Sequence, residues 1–388
     1  MNKTKLSLIT FLISGAVLAG CSSNSDQGST SAEKGQEETK TSEEVKDTNI
    51  TETENVKFYF TADEGGSITK INAATNEVHE IIEVDGTVHN VQVSPDGKML
   101  GATVVPAMNH GGESQSEDNH GEDSHGGDDA HGGDAHGDAS MEMNGKALFF
   151  DIETNELLKT VEVGNHPAHF VFTEDGKYAL VTNTEDNHVS VIDMESLSVT
   201  ETVDTGKGPH GFRISADSKK AYIANMGEDS VSVVNLETMK EEKKITVGST
   251  PVTTGITSDG KILVATLNAE NMLAIVNLET DEVEKVEVGK GPAQVYIDGN
   301  NQYAYVANQG TKDAPSNSVT VVDLASKTVT ATIETGKGAH GVVTSSDSKR
   351  LYVTNMFDNT VTVIDTEQNI VIETIEVGNV PNGISIME

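Results

Sequence analysis

The chain has 388 residues, carries a formal net charge of −36 at pH 7, and contains no tryptophan and one cysteine. This charge argues against binding to nucleic acid or to anionic lipid headgroups, which requires clustered Lys and Arg, and it is compatible with attracting cations. A single cysteine excludes a disulfide within the chain. If that cysteine is modified with lipid, no thiolate is left to bind a metal, and any metal site must be made from His, Asp, Glu or Met.

The first twenty residues have the layout of a secretory signal. Lys3 and Lys5 precede an apolar run from Leu6 to Ala19, which is too short to serve as a membrane-spanning helix. The run ends in "LAGC", which resembles the bacterial lipobox, where the cysteine receives lipid and becomes the new N-terminus. We therefore expect residues 1–20 to be a lipoprotein signal peptide. Cys21 would then anchor the exported protein, through lipid only, at the outer face of the cytoplasmic membrane.

Residues 21–55 form the next segment. They are mostly Ser, Thr, Glu, Gln and Lys, with almost no large apolar side chain, so burial cannot offset the entropy of ordering them. We interpret them as a flexible acidic tether. Residues 56–388 are rich in Val, Ile and Thr, and their length is sufficient for one large β domain.

An internal repeat of about 42 residues organises this domain. A regular copy, "KKAYIANMGEDSVSVVNLETMKEEKKITVG" from Lys219, contains short apolar or alternating runs separated by turn residues, as expected for antiparallel strands. The third run recurs seven times, five times clearly, as in "VSVVNLET", and twice more loosely, as in "ALFFDIET". Seven four-stranded units predict an all-β, seven-bladed β-propeller.

The order of strands within the repeat also predicts how the ring closes. If the strands are labelled A to D from the channel outward, the domain begins with a strand B at Val56 and ends with a strand A at Pro381 to Met387. The C-terminal strand should therefore complete the N-terminal blade, which removes an open sheet edge.

The second run of the repeat carries a family motif. Residues Tyr352 to Asn355 read "YVTN", with the variants "LVTN", "YIAN" and "YVAN" beginning at Leu180, Tyr222 and Tyr305. The chain resembles the YVTN-type seven-bladed propellers over about Val56 to Glu388. This resemblance implies the fold, but it does not imply an activity, because propellers carry many unrelated functions.

A histidine-rich segment interrupts the second blade. Residues 106–145 lie between its strands B and C and include "HGGDDAHGGDAHGD". Short His-rich tracts commonly bind metal, although a solvated acidic linker is the alternative. We predict that this loop collects metal weakly through five histidines: His110, His120, His125, His131 and His136.

More histidines occur in the D-to-A loops, which should emerge on the same face as the B-to-C loops. Alignment of these loops places His89, His210 and His340 at one shared position, while His169 lies one residue further on and His166 is in the same loop. Three imidazoles converging from separate strands suit Zn²⁺, which is favoured here over copper. We predict that these five residues hold metal at the channel mouth. The alternative is that they only hydrogen-bond to backbone.

The sequence lacks HExxH, G-x-S-x-G, P-loop and C-x-x-C-H motifs, so we do not expect an enzyme or a haem protein. A propeller with histidines on one face is similar to the AztD-type zinc metallochaperones. That resemblance implies delivery of zinc to the solute-binding protein of an ABC importer. We expect a monomer that stores or delivers zinc. A surface recognition scaffold for protein or glycan, and a lactonase-like hydrolase, remain alternatives.

Overall fold

A computed structural model describes residues 56–106 and 144–387. Twenty-eight strands and one short 3-10 helix, Asn268–Glu270, are found in these ranges. In chain order the strands are β1 (Phe58–Asp63), β2 (Ser67–Asn72), β3 (Val78–Glu83), β4 (Thr87–Val93), β5 (Met99–Val105), β6 (Lys146–Asp151), β7 (Leu157–Glu162), β8 (Pro167–Phe172), β9 (Tyr178–Asn183), β10 (His188–Asp193), β11 (Ser198–Asp204), β12 (Pro209–Ile214), β13 (Lys220–Asn225), β14 (Ser230–Asn235), β15 (Lys240–Thr246), β16 (Pro251–Ile256), β17 (Ile262–Leu267), β18 (Met272–Asn277), β19 (Glu282–Glu287), β20 (Pro292–Ile297), β21 (Tyr303–Gly310), β22 (Pro315–Asp323), β23 (Thr328–Glu334), β24 (Ala339–Thr344), β25 (Arg350–Asn355), β26 (Thr360–Asp365), β27 (Ile370–Glu376) and β28 (Pro381–Ile386). Within the described ranges, no helix is long and apolar enough to span a membrane.

The strands form seven four-stranded antiparallel sheets, which confirms the predicted fold. Blade one has the order β28-β1-β2-β3, and blades two to seven take the following strands four at a time, from β4–β7 to β24–β27. The C-terminal strand β28 therefore completes the N-terminal blade, as predicted. Its pairing with β1 places Ile384 opposite Thr61. Successive inner strands contact one another around the whole ring, including β24 with β28 and β28 with β4.

The hydrophobic core lies between adjacent blades. One cluster, for example, joins Phe60 and Ile68 of blade one to Val91 and Leu100 of blade two. The outermost strands contribute little to it: in β15, "KEEKKIT", only the isoleucine is buried. This gradient from buried inner strands to exposed outer strands fits an antiparallel sheet with its outer edge in water.

The asparagine that ends the YVTN motif fixes the turn between strands B and C. In blade seven the side-chain amide of Asn355 donates to the hydroxyls of Thr360 and Thr362 at 3.0 and 2.9 Å. Blade one has Asp63 at this place, and its carboxylate accepts hydrogen bonds from three hydroxyl groups on β1 and β2. Burial raises the pKa of Asp63 to about 6 although these hydrogen bonds oppose the rise.

The D-to-A loops and B-to-C loops lie on one face, as expected. The backbone N–H of Thr184, after β9, donates to the carbonyl of His166 before β8 at 3.1 Å. In blade four, Met226 donates in the same way to Gly208 at 2.8 Å. The His-rich insertion connects β5 to β6 and so occupies the B-to-C connection of blade two. Its five histidines and Cys21 lie outside the described residues.

Candidate metal centre

Three histidines from consecutive blades meet at the channel mouth. His89, His169 and His210 lie on the inner strands β4, β8 and β12, and one ring nitrogen from each lies within 4.8 Å of the other two. The Nε2 atoms of His89 and His210 are 3.4 Å apart. The ring centroids of His169 and His210 are 5.0 Å apart. In the described part of the chain, this is the group of His, Cys, Asp or Glu side chains suited to hold a metal ion.

A β-bulge in each inner strand explains why His169 joins the group. In β8 the register with β9 shifts between Pro167 and Phe170, so the simple alternation of side chains fails where His169 lies. The preceding residue, Ala168, is small and buried. In β12 the histidine comes first: His210 is at the position of Ala168, and Gly211 is at the position of His169. A Cβ atom at Gly211 would lie 2.4 Å from the hydroxyl oxygen of Thr253. The bulge therefore lets two consecutive positions supply inward side chains.

The protonation of His210 is fixed by its neighbour in blade five. Its Nδ1 lies 3.1 Å from the carbonyl oxygen of Val252, which can only accept a hydrogen bond. Nδ1 therefore carries the proton, and the lone pair of Nε2 faces His89. Burial lowers the pKa of His210 to about 3, and the nearby charges of His89 and His340 act in the same direction. The imidazole is neutral at pH 7, which is the state that binds metal.

His169 is buried without a hydrogen-bond partner on either ring nitrogen among the described residues. Only 1% of its surface is exposed. Burial also lowers its pKa well below the ordinary value. A buried polar group without a partner costs about 1–3 kcal/mol, and such groups in native proteins require an explanation. A metal ion held between the three rings would satisfy one of these nitrogens.

A carboxylate from blade one orients His89. Glu64, which directly follows β1, places Oε1 3.4 Å from Nδ1 of His89. The amide of Asn382, on β28, donates to the same Oε1 at 2.6 Å and lies 3.3 Å from the same Nδ1. Burial opposes ionisation of Glu64, but hydrogen bonding and charge from His89, with the bond from Asn382, lower its pKa to about 2. An ionised acceptor at Nδ1 leaves Nε2 of His89 to face His210.

The two other described channel-mouth histidines, His340 and His166, do not join this triad. His340 is buried on β24, and its Nδ1 lies 3.3 Å from the carbonyl oxygen of Asn382. Burial lowers the pKa of His340 to about 4. His166 is exposed in the D-to-A loop, with Nδ1 3.7 Å from Glu185. The three residues that meet are thus not the three that the loop alignment placed at one shared position.

The triad has the chemistry of a transition-metal site. Three imidazoles suit zinc, copper, iron or nickel, whereas Ca²⁺ and Mg²⁺ prefer oxygen ligands. Two nitrogens bound to zinc at about 2.0–2.1 Å in tetrahedral geometry lie roughly 3.3 Å apart. The 3.4 Å separation between Nε2 of His89 and Nε2 of His210 matches this distance. The site could therefore hold one such ion and leave a fourth position open.

Comparison with known families agrees with the repeat. Residues 137–302 match the family model described as YNCE-like beta-propeller. The match accompanies seven complete blades and the repeated YVTN-like strands. The chain is a seven-bladed β-propeller with YVTN-like repeats, and over residues 137–302 it is similar to the YNCE-like propellers. A comparison with curated proteins finds no match.

Solved structures share the seven-bladed fold of this chain at low sequence identity. Hydrazine synthase of Kuenenia stuttgartiensis superposes with a TM-score of 0.62 at 19% identity, over 77% of this chain and 89% of that one. A functionally unknown protein from Desulfotomaculum acetoxidans gives 0.66 at 12% identity, over 85% and 99%. A putative 6-phosphogluconolactonase from Bacteroides fragilis gives 0.64 at 15% identity, over 87% and 99%. These likenesses show the fold alone.

Two residues of the candidate site were not predicted as such from the sequence. Asn382 occupies the shared loop position, but asparagine there carried no metal signal. Glu64 lies at the start of a B-to-C loop, directly after the residue that replaces the YVTN asparagine, and the alignment of D-to-A loops does not include it. A search for acidic residues at the start of the B-to-C loops would have found Glu64.

Proposed function

We propose that the protein is an exported, lipid-anchored propeller that binds zinc at the channel mouth. His89, His169 and His210 would be the ligands, with Glu64 and Asn382 orienting His89. Copper is the second choice, because the three donors are imidazoles and lack the soft sulfur that Cu(I) prefers. The role would be storage of zinc or its delivery to an importer.

One observation carries this proposal. His169 is buried, and both its ring nitrogens lack a partner among the described residues, while the rings of His89 and His210 lie beside it. A histidine that served only packing would cost stability here without any return. A bound metal would satisfy one of the two nitrogens and so offset part of that cost.

Metal exchange suits a site on three adjacent blades. Three protein ligands leave a coordination position for a donor from outside the chain, which allows an ion to enter and leave. We propose that the His-rich insertion, which joins β5 to β6 in blade two, supplies such donors from the strand beside β4. The acceptor would be the solute-binding protein of an ABC importer, by likeness to the AztD-type chaperones.

Calorimetric titration of Zn²⁺ tests the proposal. The full-length chain would be compared with a variant that lacks residues 108–143 and with His169→Thr, which copies Thr253 at the same place in blade five. We expect one tight site that survives the deletion and is lost with His169→Thr. His79→Ala, on the exposed strand β3, is the matched control and should leave that site unchanged.

Two results would contradict the proposal. If His169→Thr bound zinc as tightly as the wild type, the triad would not be the tight site. If all binding were weak and disappeared with residues 108–143, the propeller would be a recognition scaffold that carries a metal-collecting loop. Delivery is tested separately, by transfer of zinc from the loaded protein to a solute-binding protein faster than its spontaneous dissociation.

A further inference from the structure

A second pair of inner strands, on the other side of the channel mouth, repeats part of the triad's arrangement. In blades three and four the mouth positions hold His169, preceded by an alanine, and His210, followed by a glycine. In blades six and seven the same positions hold Gln294, preceded by an alanine, and His340, followed by a glycine. The β-bulge falls at the same place in β8 and β20, and in β12 and β24. Gln294 therefore occupies in blade six the place that His169 occupies in blade three.

The ring of His340 is held in the same way as the ring of His210. Nδ1 of His340 lies 3.3 Å from the carbonyl oxygen of Asn382 in the next blade, as Nδ1 of His210 lies 3.1 Å from that of Val252. A Cβ atom at Gly341 would lie 2.4 Å from the carbonyl oxygen of Asn382, so this close contact requires glycine. A carbonyl oxygen only accepts, so Nδ1 of His340 carries the proton and Nε2 keeps its lone pair for a ligand.

Gln294 is the polar neighbour of His340 in this pair. Its side chain is buried, and its Nε2 has no hydrogen-bond partner among the described residues. Strands β20 and β24 contact each other, so side chains at their mouth positions are neighbours, as are the rings of His169 and His210. Rotation of the amide exchanges its nitrogen and oxygen, so Gln294 can present either a donor or an acceptor. A buried amide without a partner points to a group that binds between blades six and seven.

The charge around this pair favours a cation as the bound group. Burial lowers the pKa of His340 to about 4, and the charge of Glu64 acts in the opposite direction. A neutral imidazole near a carboxylate therefore offers a cation both a lone pair and an attractive charge. Imidazole nitrogen is a ligand for transition metals, whereas Ca²⁺ and Mg²⁺ prefer sites made of oxygen. The group that fits between His340 and Gln294 is thus a transition-metal ion.

We propose that His340 and Gln294 form a second, weaker metal site, at which zinc stops on its way to and from the triad. This inference rests on the proposed exchange of zinc at the mouth. Nε2 of His340 and the amide oxygen of Gln294 would be the protein ligands, and water would fill the remaining positions. Two protein ligands, one of them a neutral amide, hold zinc less tightly than three imidazoles. The lower affinity suits a site that passes its ion on.

NMR of the histidine ring nitrogens in the full-length chain tests this site during a titration with Zn²⁺. The signal of His340 is identified by its absence from His340→Val, which copies Val252 in blade five. We expect the signals of His169 and His210 to change with the first equivalent of zinc, and that of Nε2 of His340 to change only with further zinc.

A variant of Gln294 tests the second ligand. In Gln294→Leu, the change at His340 should require about tenfold or more free zinc, because one ligand is lost. Gln302→Leu is the matched control, since Gln302 is exposed in the turn between β20 and β21 of the same blade. It should behave like the wild type.

Three results would overturn this second site. The first is a His340 signal that does not move at saturating zinc. The second is a His340 signal that moves together with those of the triad, because His340 would then belong to the tight site. The third is an equal response of His340 in Gln294→Leu and Gln302→Leu. If circular dichroism shows that Gln294→Leu fails to fold, the order of the signals in the wild type decides.

Failure of the second site is distinguishable from failure of the triad. A triad that binds zinc beside an unresponsive His340 removes the second site alone. A His340 that responds while His169 and His210 do not would contradict the proposed function and leave a metal site at His340. In His169→Thr the response of His340 should persist.

Discussion

The mouth of the channel has two unlike halves built on the same backbone. In blades three and four the inner strands place His169 and His210 at the bulge, while blade five places Val252 and Thr253 there. Both halves keep the same supporting contact. The hydroxyl of Thr182 donates to the carbonyl of His210 at 2.7 Å, and that of Thr266 donates to Ala293 at 2.7 Å.

This comparison separates what the fold needs from what the site needs. Blades five and six carry other side chains at these two positions, so the bulge and its hydroxyl contact do not require imidazole: Val252, Thr253, Ala293 and Gln294. His169 has no hydrogen bond to its ring among the described residues, whereas its backbone N–H is bonded to Thr182 like that of Thr253 to Thr266. The histidines are therefore additions to a frame that folds without them, and we interpret them as ligands.

The largest expected effect on zinc affinity comes from replacing the histidines of blades three and four with the residues of blade five. His169→Thr and His210→Val each copy the residue that blade five has at the same position. Each should lower zinc affinity by about 100-fold or more, because a lost ligand costs more than a lost outer contact. Competition with a chromogenic chelator measures this. Unchanged affinity in either variant would remove that residue from the site.

A smaller loss is expected from Glu64→Gln. The amide keeps the shape but is a weaker acceptor for the Nδ1 proton of His89, and such outer contacts are worth about 10–100-fold in metal affinity. Glu185→Gln is the matched control, because Glu185 faces the exposed His166 and should leave zinc affinity unchanged. Equal behaviour of the two variants would show that Glu64 does not orient a ligand.

Removing His169 should stabilise the metal-free protein. His169→Val deletes a buried polar ring that lacks a partner among the described residues, and such groups cost about 1–3 kcal/mol. The lost ring volume offsets part of this gain. Urea unfolding in the presence of chelator should therefore give an equal or higher free energy of unfolding. A loss of several kcal/mol would indicate a packing role for the ring.

The free energy of unfolding should also depend on pH through His210. The pKa of His210 is about 3 in the folded state, so below about 6.5 the unfolded chain binds a proton there and the folded chain does not. The free energy of unfolding of the metal-free protein should therefore fall from pH 7 to 5. In His210→Val this fall should be smaller by about 1–2 kcal/mol.

Asp63 acts with the opposite sign. Its pKa is raised to about 6, so its contribution to stability is present at low pH and is lost as the pH rises through 6. It is the same in the wild type and in His210→Val, so it cancels from their difference. Urea titrations at pH 7 and pH 5 measure that difference, and equal falls in the two proteins would reject the lowered pKa of His210.

The repeat made the fold predictable, but it identified only part of the candidate metal site. Seven copies of one strand pattern determine the blades, and the position of the first strand B determines closure by β28. The three triad residues were among the five histidines predicted at the channel mouth, but their grouping was not predictable, because an alignment of loop positions does not show the bulge that brings His169 next to His210. Glu64 meets His89 through a contact between blades one and two, which periodicity does not encode.

Anomalous diffraction at the zinc absorption edge, from crystals grown with zinc, locates the bound ion and its ligands. We expect a peak bonded to Nε2 of His89, Nε2 of His210 and a ring nitrogen of His169, each at about 2.0–2.1 Å. A peak only at carboxylates or in the His-rich insertion, with the triad's nitrogens still unbound, would contradict it.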